Sequence, residues 1–259
     1  MTRAGLRIDV NCDMGEFPEA VADGTQEALM RYISSVNIAC GGHAGDEHTM
    51  RLTVEEALRT GVAIGAHPGY ADRANFGRRE LNLSVKEVTD SVFQQVSSLL
   101  TIAAQCGACV THVKPHGALY NQAARDRALA AAIARGVAES NKNLILVGLA
   151  GSSMLEVFRD AGFAIAAEAF ADRRYQPDGS LRPRKFADAL ISDPAEAARQ
   201  ALRIVQRGTA VAVDGSEVPV HAATICIHSD SPGAREIAAT IARTLQEAEI
   251  SLATLSPAR

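Results

Sequence analysis

Val113-Lys114-Pro115-His116-Gly117-Ala118-Leu119-Tyr120 is the stretch whose reading decides the fold. An apolar strand beginning at Cys109 runs into an ammonium group and an imidazole and then turns at a glycine. Strand side chains alternate faces, so Cys109, Thr111 and Val113 lie on one side and Val110, His112, Lys114 and His116 on the other. One side is suited to a core, while the other gathers ionisable groups toward the strand's C-terminal end. This is how a β/α barrel strand is built, with its outer face on helices and its inner C-terminal tip at the site.

Other stretches repeat the pattern. The first strand separates Ile8, Val10 and Cys12 from Asp9, Asn11 and Asp13, and the second ends in Gly41-Gly42-His43-Ala44-Gly45-Asp46. The third, Val62 to Ala66, leads into His67, and the last core strand, Thr224 to His228, leads to Asp230. The fifth, Leu144 to Leu149, is apolar on both faces, as buried parallel strands often are. The sixth, Phe163 to Ala169, aligns Glu168 and Asp172 near its end.

Helix signals separate the strands. Asp46 and Ser84 stand as N-caps, Thr25 as another, and Gly61 as a C-terminal stop. Asp193-Pro194 starts a helix to about Arg207, an alanine-rich helix spans about Ala123 to Glu139, and a terminal one begins near Pro232. Asp214-Gly215 marks a hairpin. About seven β/α units result, which allows a barrel or a doubly wound sheet. A doubly wound sheet draws its site mainly from strands beside one crevice. Here five strands end in Asp13, His43, His67, His116 and Asp230, and a ring of contributors favours the barrel.

At 259 residues and 47% hydrophobic content, the chain fits one α/β domain over 1–259. A net charge of -4 leaves no basic stripe, so no nucleic acid partner is expected. Without an apolar leader or a membrane-length run, the expectation is a cytoplasmic protein with no membrane partner. The five cysteines read as reduced thiols, with Cys106 and Cys109 as small buried hydrophobes. Any single His or Asp at a strand end has an ordinary explanation as a cap or hydrogen-bonding residue, and Asp46, Arg78 and Tyr120 have such readings. Five unrelated reasons for one placement are harder to supply.

The motifs together are similar to those of the LamB/YcsF family. They are Asn11-Cys12-Asp13-Met14-Gly15-Glu16, Asn37 to Asp46, Gly65-Ala66-His67-Pro68-Gly69-Tyr70, Phe76-Gly77-Arg78-Arg79, Val113 to Asn121, Phe170 to Arg173 and Cys226 to Asp230. They run in order through nearly the whole chain. The resemblance implies a distorted β/α (TIM-like) barrel of about seven strands, related to polysaccharide deacetylases. It also implies the A subunit of an ATP-dependent 5-oxoprolinase, which opens 5-oxo-L-proline to L-glutamate together with subunits B and C. The sequence departs from the family pattern in the loop after Glu16, at Gly42, at Ser229 and at Lys185 to Asp188. Most of these lie near the expected mouth, which bears on the choice of lactam or cyclic amide.

Opening a lactam requires a more electrophilic carbonyl and a stabilised oxyanion. Phosphorylating the amide oxygen meets the first need, which accounts for ATP. No GxxxxGK[ST] occurs, so ATP is expected at another geometry or with a partner subunit. The catalytic set expected is Asp13, His43, His67, Lys114, His116 and Asp230, with Asp13 as general base or metal ligand and Lys114 and His116 stabilising phosphate or oxyanion. Arg173 or Arg184 would hold the substrate carboxylate. Further substrate contacts are expected from Asn11, Glu16, Asn37, Asp46, Arg78, Tyr120, Glu168, Asp172 and His228. A divalent metal is expected either as Mg with ATP or as Zn or Mn held by Asp13, His43 and His67. Two other readings stay open: a metal-dependent deacetylase or amidohydrolase acting without ATP, and a non-catalytic scaffold subunit.

Overall fold

The structure, a computed structural model, describes residues 5–230 and 233–256. Its strands in chain order are β1 (Arg7–Met14), β2 (Ser35–Ala39), β3 (Ala63–His67), β4 (Val110–Val113), β5 (Ile145–Leu149), β6 (Ile165–Phe170), β7 (Thr209–Val211), β8 (Glu217–Pro219), β9 (Thr224–His228) and β10 (Ser251–Leu252). β9 pairs in parallel with both β6 and β1, which closes the ring β1-β2-β3-β4-β5-β6-β9. The expected seven-stranded barrel is therefore present. β7 and β8 form the antiparallel hairpin flanking Asp214-Gly215, and β10 pairs with Arg7 and Ile8.

The helices are α1 (Pro18–Ala22), α2 (Thr25–Met30), α3 (Glu47–Thr60), α4 (Val85–Gln105), α5 (Gly117–Ala123), α6 (Arg127–Ser140), α7 (Ser153–Asp160), α8 (Pro194–Arg207) and α9 (Ala234–Glu247). Asp46 caps α3 in a reciprocal box with Thr49, Ser84 does the same for α4 with Glu87, and Gly61 ends α3 in the left-handed region. The cap of α2 is Gly24, with φ 76, in place of Thr25. The alanine-rich segment is two helices, because Asp126 accepts from the amides of Ala128 and Leu129 and starts α6 afresh. Position 232, the expected start of the terminal helix, lies outside the described residues. Cys106 is half-buried and Cys109 exposed, which corrects the expectation that both are buried. None of the helices is long and apolar enough to cross a membrane, among the described residues.

The barrel interior has two characters. Ile145, Val147 and Ala166 make a small apolar cluster of their own on the β5 and β6 side. The β1, β2, β4 and β9 side is polar from bottom to top. Asp9 accepts from the hydroxyls of Ser34, Ser35 and Thr224, and burial raises its carboxyl above its ordinary value. One layer up, Asn37 Nδ2 donates to Asn11 Oδ1 at 2.8 Å, and His112 Nε2 lies 2.9 Å from Asn37 Oδ1. Space for that imidazole comes from Gly65, where a Cβ would lie 2.1 Å from His112 Nε2. The outer faces of the strands pack on the helices in one continuous core.

Candidate active site

The C-terminal strand tips carry the chemistry. Asp13, one residue before the end of β1, accepts at Oδ1 from Lys114 Nζ at 2.9 Å and from Asn37 Nδ2 at 2.8 Å. Its Oδ2 is 3.2 Å from His67 Nε2. Lys114 Nζ also lies 2.9 Å from Glu168 Oε1 and 3.0 Å from Cys226 Sγ. Below them, Asn11 Nδ2 donates to Glu168 Oε1 and Thr224 Oγ1. All of these groups are buried. Burial alone would raise the Asp13 carboxyl, but positive charge at the His67 position and the Lys114 ammonium outweigh it and hold it well below the usual carboxylate range. Burial likewise works against the Lys114 ammonium, and the Asp13 carboxylate, the Cys226 sulfur and the Glu168 carboxylate reverse the balance, so its pKa stands well above the usual lysine value.

A second group sits beside the first. His67 Nδ1 is 2.7 Å from Lys114 O, and His116 Nε2 is 2.9 Å from Phe76 O. Their other nitrogens, His67 Nε2 and His116 Nδ1, face each other at 2.9 Å. Glu16 Oε1 is 3.3 Å from His116 Nδ1 and 3.0 Å from His43 Nε2. The His43 and His116 rings stack at 3.6 Å with an interplanar angle of 2°. Burial pushes the His43 imidazole down to about 2 and His116 well below its usual value, so both rings are neutral. Burial and the nearby Asp13 charge raise Glu16 to about 7. Ligand atoms from Glu16, His43, His67 and His116 all lie within 4.8 Å of one another, a cluster compatible with a divalent metal.

The mouth is edged with cations. Arg78 pairs with Asp230, and Arg184 Nη1 lies 3.5 Å from the same carboxylate. His228 Nδ1 and its backbone amide both reach Asp172, whose carboxyl burial would raise but His228 holds low. Arg173 is buried, donates from Nη2 to Arg182 O at 2.7 Å, and has no hydrogen-bond partner at Nε among the described residues. Burial and the neighbouring Glu168 carboxylate push the Tyr120 hydroxyl well above its usual value.

A cavity of about 790 Å³ joins these features. Asp13, Glu16, His67, Lys114 and His116 line its floor, and Arg78, Tyr120, Arg173, Arg184, His228 and Asp230 its sides. Asn11, Asn37 and Glu168 are not on its wall; they lie beneath and hold Asp13 and Lys114. Asp172 acts through His228, and His43 stands behind Glu16. Asp46 is removed from the cavity altogether, because its carboxylate is used in capping α3. Sequence reading placed His112 and Cys226 on the inner face without giving them a role. It gave no role either to Thr224, on the same face of the last strand as Cys226, or to Asn121, Arg125 and Ser152 on the cavity wall, since isolated polar residues in loops and helices carry no periodic signal.

The fold and site define a β/α-barrel protein with a lysine-bridged carboxylate pair and an imidazole cluster at the C-terminal mouth. The chain belongs to the LamB/YcsF family, whose model matches residues 8–259. It is 49% identical over 249 residues to the A subunit of 5-oxoprolinase from Chloroflexus aggregans, covering 96% of this chain and 99% of that one. It is 51% identical over 247 residues to the protein of the same name from Chloroflexus aurantiacus, covering 95% and 98%. The crystal structure of the lactam utilization protein from Thermus thermophilus superposes with a TM-score of 0.90 at 42% identity, covering 96% of this chain and 100% of that one.

Proposed function

We propose that this chain is the A subunit of an ATP-dependent 5-oxoprolinase, a hydrolase that opens 5-oxo-L-proline to L-glutamate with partner subunits B and C. The observation that carries the reading is the likeness, over nearly all of both chains, to proteins of that name, joined to a cavity whose floor holds Asp13, Lys114, His67 and His116.

Each residue's role follows from its surroundings. Asp13 is the proton acceptor for the attacking water, kept ionised at neutral pH by Lys114 and oriented by Asn37. Lys114 supports the developing charge near the amide carbonyl through its position between Asp13 and Glu168. Arg173, a buried guanidinium with an unused Nε, receives the carboxylate of the lactam, and Tyr120 stands on the same wall beside Glu168. Arg184 and Arg78 already share Asp230 and are placed to set the width of the mouth.

ATP phosphorylates the amide oxygen, at a place shared with or supplied by a partner subunit, with Mg accompanying the nucleotide. Water then adds to the activated carbon, its proton passes by way of Asp13 to the departing ring nitrogen, and the ring C–N bond breaks. A second water is consumed in releasing inorganic phosphate, so ADP, phosphate and glutamate balance lactam, ATP and two waters. A divalent metal such as Zn or Mn at the imidazole cluster would supply Lewis-acid polarisation.

A coupled ADP-release assay with 5-oxoproline, run with and without subunits B and C, tests the proposal. Lactam-dependent ADP release together with glutamate formation, absent when this chain is omitted, is the expected result; glutamate formation that does not require this chain refutes it. The cluster of Glu16 and three imidazoles favours one second reading, a metal-dependent amidohydrolase acting without ATP. Turnover of an N-acyl substrate by this chain alone, abolished by a chelator, would select it.

A further inference from the structure

We infer that Glu16, His67 and His116 form a divalent-cation site beside Asp13, and that His43 holds Glu16 in place without binding the ion. The inference goes beyond the lactam reading, and the donors differ from the Asp13, His43 and His67 set expected from sequence.

It starts from where the ring hydrogens must be. Carbonyl oxygens only accept, so the contacts of His67 Nδ1 with Lys114 O and of His116 Nε2 with Phe76 O put a hydrogen on each of those nitrogens. In neutral rings the opposite nitrogens then carry lone pairs. These are the two atoms that face each other at 2.9 Å. Two carboxylate oxygens point into the same space: Asp13 Oδ2, 3.2 Å from His67 Nε2, and Glu16 Oε1, 4.0 Å from it and 3.3 Å from His116 Nδ1. Four acceptors thus converge with no hydrogen assigned between them.

A single added proton does not resolve this. Placed on His67 Nε2 it bridges toward His116 and Asp13 and leaves the approach of Glu16 Oε1 to His116 Nδ1 without a hydrogen; placed on Glu16 Oε1 it serves His116 and leaves His67 Nε2 facing Asp13 Oδ2 without one. A divalent cation satisfies the lone pairs of His67 Nε2, His116 Nδ1 and Glu16 Oε1 together, with the Asp13 carboxylate as a neighbouring negative charge. The outer contacts agree, because a ligating histidine characteristically donates its other N–H to a carbonyl or carboxylate, which sets tautomer and ring orientation. Nitrogen and oxygen donors suit Zn, Mn, Fe or Co.

His43 differs from the other two. Its Nδ1 is buried with no partner among the described residues, and Gly69 lies against it so closely that a Cβ there would be 2.7 Å away. Its Nε2 is 3.0 Å from Glu16 Oε1, where an N–H donates to the carboxylate. That leaves its lone pair facing backbone, away from the cluster. The neighbouring group of Asp13, Cys226 and His228 is not a second ion site, since the Lys114 ammonium already lies 2.9 Å from Asp13 Oδ1 and 3.0 Å from Cys226 Sγ.

The test uses the full chain, stripped with a chelator and titrated separately with zinc and manganese chloride by calorimetry, with the visible spectrum of the cobalt-loaded protein as a second readout. One saturable site per chain is expected. Glu16→Gln and His116→Ala should each weaken binding by more than the ~10- to 100-fold that losing a supporting partner costs. His43→Gln should fall within that ~10- to 100-fold range, and Asp46→Ala, whose carboxylate is taken up in capping α3, should leave affinity unchanged. Thermal melts confirm that each variant is folded, and Glu16→Gln serves if His116→Ala does not fold. Absence of saturable binding to the wild type, with nitrogen-15 NMR showing hydrogens on both nitrogens of His67, overturns the site in favour of a shared proton. Wild-type affinity in folded Glu16→Gln overturns the ligand assignment. Because no lactam, nucleotide or partner subunit is present, failure here leaves the ring-opening assay untouched, and failure there leaves the ion site standing.

Discussion

Lys114 Nζ and Asp13 Oδ1 lie 2.9 Å apart in the barrel interior, and the same ammonium lies 2.9 Å from Glu168 Oε1. One buried cation therefore holds two buried carboxylates from different strands. Removing one member of a buried ionic group typically costs ~3 to 5 kcal/mol, because the charge left behind has no compensation. Lys114→Met should destabilise the protein by about that amount in urea unfolding, and Lys114→Met combined with Glu168→Gln should recover part of the loss. A change below ~1 kcal/mol would show that the triad is solvated.

Asp13→Asn keeps the side-chain volume and an oxygen for Lys114 and Asn37. It removes the proton acceptor. Turnover in the ADP-release assay with partner subunits should fall ~10²- to 10⁴-fold while the protein remains folded by circular dichroism. Near wild-type turnover would take Asp13 out of the mechanism.

Arg173 and Arg184 separate the two candidate carboxylate binders. Arg184 is partly exposed and already near Asp230, whereas Arg173 is buried with Nε unused. Arg173→Lys loses the planar fork but keeps the charge, and should raise KM for the lactam ~10-fold or more with a smaller change in kcat. Arg184→Lys should change KM less. The reverse ranking would move the substrate carboxylate to the mouth.

Gly65→Ala tests how the interior is packed. The new Cβ would meet the His112 ring at 2.1 Å, and that ring is tied to Asn37 and Thr111. The overpacking should cost ~1 to 3 kcal/mol or more, read as a lower thermal midpoint, and Gly65→Ala with His112→Ala should relieve it.

Asp9, at the foot of the same column, gives a pH signature. Burial raises its carboxyl above the ordinary 3.8, so the native state binds this proton more tightly than the unfolded chain. Its contribution to stability is complete below pH 3.8 and is lost as pH rises through the native value. Asp9→Asn should therefore gain stability relative to wild type as pH rises above 3.8 in paired urea titrations. A constant difference across that range would show that Asp9 does not titrate on folding.

Much of the barrel was legible in residue order. Alternation in Ile8 to Asp13 and in Cys109 to His116 told which side chains face inward and that the ionisable ones crowd the C-terminal tips. Caps at Asp46, Ser84 and Asp193 placed the helices between. Spacing along one strand, however, carries no information about position around the ring. It could not show that Glu16, from the loop after β1, meets three imidazoles from other segments, or that Asp46 turns its carboxylate back onto α3. Arg173 and Arg184 look alike in sequence and differ only in what surrounds them.

By itself the sequence determined the element order, the inward faces and the family, since each depends on local periodicity and on motifs contiguous in the chain. The tertiary structure alone decided which carboxylate shares Lys114, which imidazole nitrogens are left with lone pairs, and which arginine keeps an unused donor. Those outcomes depend on strand register, ring closure through β9 and the reach of individual side chains, distances no linear pattern encodes.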